Sequence, residues 1–149
     1  MAEVAGTASA DIDAPIDAVW AIVQDIERWP QWQGTLGSLR ALEHDGEQRV
    51  SVCQIQLDAK VKQITMKLRC EYQAPTRMSF QRQSGDLDSL AGSWQLEDLG
   101  DGRTRATYEL VVNPGRVLRF LLNEATTKRL RETLVDVRPG ELKARAEGG

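Results

Sequence analysis

The chain has 149 residues, a formal net charge of −3 and a sequence pI of about 5.3. That length fits one domain, residues 1–149, with a substantial core. The acidic balance argues against a nucleic-acid partner, because phosphate contacts need a basic surface. The opening residues MAEVAGTASADIDAP lack the basic stretch and apolar core of a signal peptide. No apolar run approaches membrane-spanning length. Cys53 and Cys70 have neither metal nor redox spacing. A soluble, reducing, cytoplasmic setting is therefore expected.

The first predicted element is a strand over 4–12, where Ala8, Ala10 and Ile12 alternate with Thr7, Ser9 and Asp11. Asp13-Ala14-Pro15 then reads as a helix start, with an acid near the cap and proline just inside. Ile16, Val19, Trp20 and Val23 give the apolar stripe of a short helix. Residues 25–29 read as a second helical turn, ended by Pro30. Trp29-Pro30-Gln31-Trp32 places two indoles around a proline, either at a pocket mouth or as a lid on the core.

Strand candidates follow at 36–43, 48–57, 61–72, 77–82, 87–97 and 103–112. Between them stand Asp45-Gly46, Asp58-Ala59, Ala74-Pro75, Ser84-Gly85 and Asp101-Gly102. Asp-Gly between alternating runs is a strong hairpin signal, so these strands form an antiparallel meander. In the later strands the even positions carry the apolar load: Ile64, Met66, Leu68, Cys70 and Tyr72; Met78 and Phe80; Leu90, Gly92, Trp94 and Leu96; Tyr108, Leu110 and Val112. One face of the sheet is covered and the other is wet. Gln54, Arg82 and Asp88 share the inward parity. They sit at strand ends in water or bond the polar end of a ligand.

The last long stretch, 114–137, reads as one C-terminal helix. Pro114 lies in its first turn, and Pro139-Gly140 supplies the stop. Thr126, Leu130, Thr133, Leu134 and Val137 share one side, with Arg129, Arg131, Glu132, Asp136 and Arg138 mostly elsewhere. Val117, Leu118, Phe120, Leu121 and Leu122 are apolar almost all round. Two readings stay open there. Both halves are ordinary core with a bend near Asn123, or the first half leans over a cavity. Only 145–149 reads as frayed. A helix about 10 Å across does not fill a sheet of seven strands. Either the sheet curls tightly, bulky side chains fill the gap, or a cavity remains.

Catalytic motifs are sparse. The single histidine, His44, reads as an exposed turn residue. No Cys/His pairing supports a metal site or a thiol nucleophile. Ser79, Ser84, Ser89 and Ser93 have no visible base, and there is no glycine-rich phosphate loop. Asp86 and Asp88 flank a turn and read as solvated.

The layout resembles the helix-grip superfamily of START lipid-transfer domains, coenzyme-Q-binding proteins and polyketide cyclases (SRPBCC). The resemblance rests on DAPIDAVW (13–20) with DIERWPQW (25–32), on GSWQL (92–96) with GRTRATYEL (102–110), and on the final helix. It covers nearly the whole chain and is nearest the polyketide cyclase/dehydrase and lipid-transport branch. It implies an α+β fold: a curved antiparallel sheet of about seven strands around a long C-terminal helix, with two short helices between strands 1 and 2. It also implies a deep cavity between helix and sheet for a hydrophobic or amphipathic small molecule. No cofactor is expected. Trp20, Trp32, Met66, Met78, Phe80, Trp94, Tyr108, Phe120, Leu121 and Ala125 are the expected lining. In a cyclase or aromatase, Tyr72, Arg82 and Tyr108 are the candidate catalytic groups. Binding or carriage of a lipid, isoprenoid quinone or polyketide-like molecule ranks first and such an enzyme second. A protein- or ribosome-directed module, like the toxins that resemble this fold, ranks third. Peripheral membrane contact through 117–122 and the oligomeric state stay open.

Overall fold

The computed structural model describes residues 4–58, 63–119 and 122–148. Strand β1 (Val4–Ile12) leads into helix α1 (Ile16–Gln24) and a 3₁₀ turn (Ile26–Gln31). Six strands follow: β2 (Leu36–His44), β3 (Val50–Asp58), β4 (Gln63–Gln73), β5 (Arg77–Gly85), β6 (Ser89–Gly100) and β7 (Arg103–Asn113). The chain ends in α2 (Arg116–Arg119), α3 (Glu124–Arg131), a π turn (Glu132–Asp136) and α4 (Arg138–Gly148). The sheet order is β1-β7-β6-β5-β4-β3-β2, and every pair is antiparallel. This is the expected α+β helix-grip architecture.

The meander follows from the turn chemistry. Asp45 accepts from the backbone N–H groups of Glu47 and Arg49 and so closes the β2–β3 turn. Asp101 and Gly102 both take positive φ between β6 and β7, as a tight Asp-Gly hairpin requires. Pro15 is the cap residue of α1 rather than its first helical residue, and no side chain caps that end. Pro30 lies inside the 3₁₀ turn instead of ending it. The short turn tolerates a missing N–H there, and the Trp29 indole N–H anchors the segment by donating to the Val23 carbonyl at 3.1 Å.

The inner face is the even face on β4 to β7, where Ile64, Met66, Met78, Phe80, Trp94, Tyr108 and Leu110 are all buried. On β3 the inner set is odd. Cys53, Ile55 and Leu57 stand opposite Leu68, Met66 and Ile64. Gln54 therefore pairs with Lys67 on the outer face, contrary to the inward parity expected of it. The cause lies in the β3–β4 connection, whose register sets odd residues of β3 against even residues of β4 without interruption from Val52 to Asp58. Phe80 lies across Gly92, its partner on β6. A Cβ at Gly92 would sit 2.4 Å from the Phe80 ring and 3.0 Å from the Glu109 carbonyl. Gly92→Ala is therefore expected to cost about 1–3 kcal/mol by overpacking, read as a lower urea midpoint with unchanged slope.

The C-terminal helix differs from the single segment expected over 114–137. Asn123 caps α3, accepting from the Thr126 N–H at 3.0 Å while the Thr126 hydroxyl accepts from the Asn123 N–H at 2.8 Å. The break thus falls where a bend was one of the two readings. Pro139-Gly140 does not stop the helix, which runs on to Gly148. Just before it the Val137 N–H bonds the Glu132 carbonyl, five residues back, and opens the turn. Pro139 then occupies a first turn, where no N–H is needed. The wide turn also rotates the buried stripe. Leu134, Val135, Arg138, Pro139 and Leu142 face inward, and Val137 is left 45 % exposed, against expectation.

Residues 145–148 are helical rather than frayed. Glu147 accepts from the Asp13 N–H at 2.8 Å, and Arg145 donates to the Gln31 side chain at 2.9 Å. At the sheet edge Arg105 donates to Asp11 at 2.8 Å and joins β1 to β7. That hydrogen bond, with Arg103 and Lys143 nearby, holds the Asp11 carboxyl below the ordinary aspartate range. A depressed folded-state pKa contributes stability above the unfolded value of about 4, and this contribution is lost as pH falls through the lower folded value. Arg105→Gln is therefore expected to narrow its stability gap to the native protein on acidification below about pH 4, measured by urea melts across pH.

Candidate ligand-binding site

Five aromatic side chains form a closed ring on the concave face. Trp29 meets Trp32 at 6.3 Å and Phe80 at 6.0 Å between ring centroids. Phe80 stacks on Tyr108 at 6.3 Å, Tyr108 meets Trp94 at 4.7 Å, and Trp94 returns to Trp32 at 6.2 Å. The sheet register places Phe80, Trp94 and Tyr108 on three adjacent strands, and the 3₁₀ turn brings the other two indoles over them. Bulky rings thus fill much of the space between helix and sheet.

What remains is a cavity of about 40 Å³, room for a water or two. Its wall is leucine-rich: Leu36, Leu57, Leu68, Leu90, Leu110 and Leu134. Trp29, Phe80 and Tyr108 line it from the ring, and Gln33 and Arg138 bring polarity to it.

Arg138 is 2 % exposed. Its Nη1 pairs with Glu141 Oε1, and its Nη2 donates to Thr35 Oγ1 at 2.6 Å. The second oxygen of Glu141 accepts from the Gly34 N–H at 2.8 Å. Two residues one turn apart on α4 thus bolt the helix to the loop that enters β2. The Arg138 Nε and the Gln33 Nε2 are buried and have no hydrogen-bond partner. The Trp94 indole nitrogen is in the same condition. Burial pushes the Tyr108 phenol above its ordinary range, with the nearby Arg138 opposing, so the phenol is protonated at neutral pH.

The predicted lining residues are distributed as follows. Phe80 and Tyr108 border the cavity. Trp94 and half-buried Trp32 lie in the ring beside it. Met66 and Met78 are fully buried in the sheet's inner layer. Trp20 sits edge-on to Tyr72 at 6.4 Å, and the Tyr72 hydroxyl donates to the Val50 carbonyl at 2.6 Å. Arg82 donates to the carbonyls of Asp86 and Gly85, at 3.2 and 2.8 Å, and so holds the β5–β6 turn. Ala125 is exposed on α3. Phe120 and Leu121, and the side chains of Val117 and Leu118, lie outside the described residues.

Away from the cavity, His44 is a surface residue 4.0 Å from Glu27. Cys53 and Cys70 are buried free thiols; the Cys53 side chain and burial hold the Cys70 thiol far above its usual range. Among the described residues no group of three or more His, Cys, Asp or Glu is placed to hold a metal ion. Among them, too, no helix is long and apolar enough to cross a membrane.

The residues that the sequence reading missed are Gln33, Thr35, Arg138 and Glu141. Arg138 had a signal. Leu130, Leu134, Arg138 and Leu142 recur every four residues, so an arginine interrupts the buried stripe. Gln33 follows the Trp-Pro-Gln-Trp turn and belongs to no periodic pattern.

Residues 12–133 match a family model described as polyketide cyclase / dehydrase and lipid transport. No curated protein matches the sequence. Among solved structures, a START superfamily protein from Mycobacterium smegmatis superposes with a TM-score of 0.83 at 17% identity, covering 97% of each chain. A protein of Thermus thermophilus gives 0.81 at 21% identity, over 99% of this chain and 98% of that one. The Zhui aromatase/cyclase from Streptomyces sp. R1128 gives 0.79 at 15% identity, over 98% and 94%. At these identities the likeness is one of fold.

Proposed function

Since the chain belongs to the polyketide cyclase/dehydrase and lipid-transport family, we propose that it binds and carries a hydrophobic or amphipathic small molecule between the sheet and the C-terminal helix. The observation that carries this reading is the leucine- and aromatic-walled cavity with unpartnered polar atoms on its boundary. A void and unpartnered donors each cost free energy, so a molecule that filled the one and bonded the others would stabilise the fold. The affinity comes from burial of apolar ligand surface, at about 25 cal/mol per Å². Because the resting cavity holds little more than water, a ligand of lipid or polyketide size enters by displacing wall side chains.

Carriage ranks ahead of catalysis because no free carboxylate or imidazole borders the cavity among the described residues. Glu141 is committed to Arg138 and Gly34. A cyclase-type reading draws support from one observation, the protonated Tyr108 phenol beside Arg138 at the cavity wall, which suits proton donation to an enolate. In that reading Tyr108, and not the turn-holding Arg82, is the acid.

Native mass spectrometry of freshly purified protein, followed by solvent extraction, tests the proposal. The expected result is a one-to-one adduct of an apolar molecule, or stoichiometric uptake when the apo protein is offered extracted lipids. A chain that is ligand-free and takes up none would overturn it.

A further inference from the structure

Resting on the reading that this cavity takes an amphipathic molecule, we propose that its polar end selects an uncharged carbonyl oxygen, as in a ketone, quinone or ester, and discriminates against a carboxylate. The unmet hydrogen-bonding capacity at this end of the core is all of one sign. Arg138 lines the cavity, and its Nε is buried and has no partner. A guanidinium nitrogen only donates. Trp94 Nε1, in the ring against Tyr108, is equally buried and unpartnered, and an indole N–H also only donates. Gln33 Nε2 adds a third orphan at the cavity wall. The group that satisfies such a site is an acceptor oxygen.

Charge favours the same kind of ligand. The Arg138 guanidinium is already neutralised by Glu141, whose other oxygen is held by the Gly34 N–H. The Nε–H of Arg138 is a strong, polarised donor inside an ion pair that is neutral as a unit. A carboxylate placed against it would bring a third charge into a leucine-lined space with no counter-ion left to balance it. A neutral carbonyl accepts the same hydrogen bonds without that penalty. The protonated Tyr108 phenol, near Arg138, is a further donor of no net charge. Gln33 and Arg138 share the cavity lining with Phe80, Trp29 and six leucines, so a carbonyl held by them directs the rest of its molecule along apolar wall.

The test uses three matched probes offered to the intact protein: butylbenzene, butyrophenone and ionised 4-phenylbutanoate. Binding is read by NMR titration of the tryptophan indole N–H signals. The expected order is butyrophenone first, about tenfold tighter than butylbenzene, with 4-phenylbutanoate weakest. Gln33→Leu should narrow the ketone's advantage over butylbenzene, with the thermal midpoint confirming that the variant is folded. Butylbenzene binding as tightly as the ketone, or the carboxylate binding tightest, would overturn the inference and leave the cavity reading standing. These outcomes rest on the native protein alone, so a Gln33 variant that fails to fold does not shelter the proposal. If none of the three binds, the cavity reading itself fails, and this inference with it.

Discussion

Arg138→Leu is expected to lower the unfolding free energy by about 3 kcal/mol, near the lower end of the range for breaking a buried ion pair. The arginine is 2 % exposed, and its removal strands Glu141, which is itself largely buried against the Gly34 loop. It also deletes the donor to Thr35 Oγ1. The partial exposure of Glu141, 23 % of its side chain, lets water relieve some of the uncompensated charge, which is why the expected loss sits low. The double variant Arg138→Leu with Glu141→Gln removes the stranded charge while leaving a side-chain oxygen to accept from Gly34. It is expected to recover about half the loss. Urea unfolding of the native protein, both single variants and the double variant checks the cycle. Additive losses would mean that the two residues do not act as a pair.

Phe80→Ala is expected to be the more damaging change, at about 3–5 kcal/mol. Phe80 is 6 % exposed, meets Trp29 and Tyr108 in the ring, and covers Gly92. Gly92 has no side chain to fall into the gap, so the strand beneath cannot collapse to refill it. The deleted ring adjoins the existing 40 Å³, and the enlarged void is bounded mainly by leucine and aromatic carbon. Apolar voids of about 150 Å³ stay dry and admit benzene. The variant should therefore show a lower thermal midpoint that rises on addition of benzene, while the native protein responds much less. A midpoint unchanged by benzene would mean that the ring closes over the gap.

Most of the fold was legible in the sequence because its signals are local. Asp45-Gly46 and Asp101-Gly102 mark hairpins, and even-numbered apolar residues from Ile64 to Val112 mark one buried face. The misread positions are those where a local rule meets a distant constraint. Gln54 changes face because the β3–β4 register sets odd residues against even ones, so the parity of the later strands does not carry across that connection. Pro139-Gly140 looks like a stop, yet the π turn before it makes room for the proline. The same turn exposes Val137 and buries Val135.

The candidate site was legible in part. Phe80 and Tyr108 at the cavity, with Trp32 and Trp94 beside them, follow from parity and aromatic size. The polar end does not, because Gln33, Thr35, Arg138 and Glu141 are drawn together from a loop and a helix more than a hundred residues apart. Only the arginine in the Leu130, Leu134, Leu142 series signalled that a charge had been placed in the core.

Entry of a ligand between the helix and the sheet is tested by titrating N-phenyl-1-naphthylamine into the native protein and into Leu57→Trp, following the probe's own emission. Leu57 lines the cavity and is only half-buried, so an indole there fills the space without forcing the strand apart. The expected result is one probe bound per native chain, and at least about tenfold weaker binding to a folded Leu57→Trp variant. Equal affinity in the two proteins, or no uptake by the native one, would contradict it.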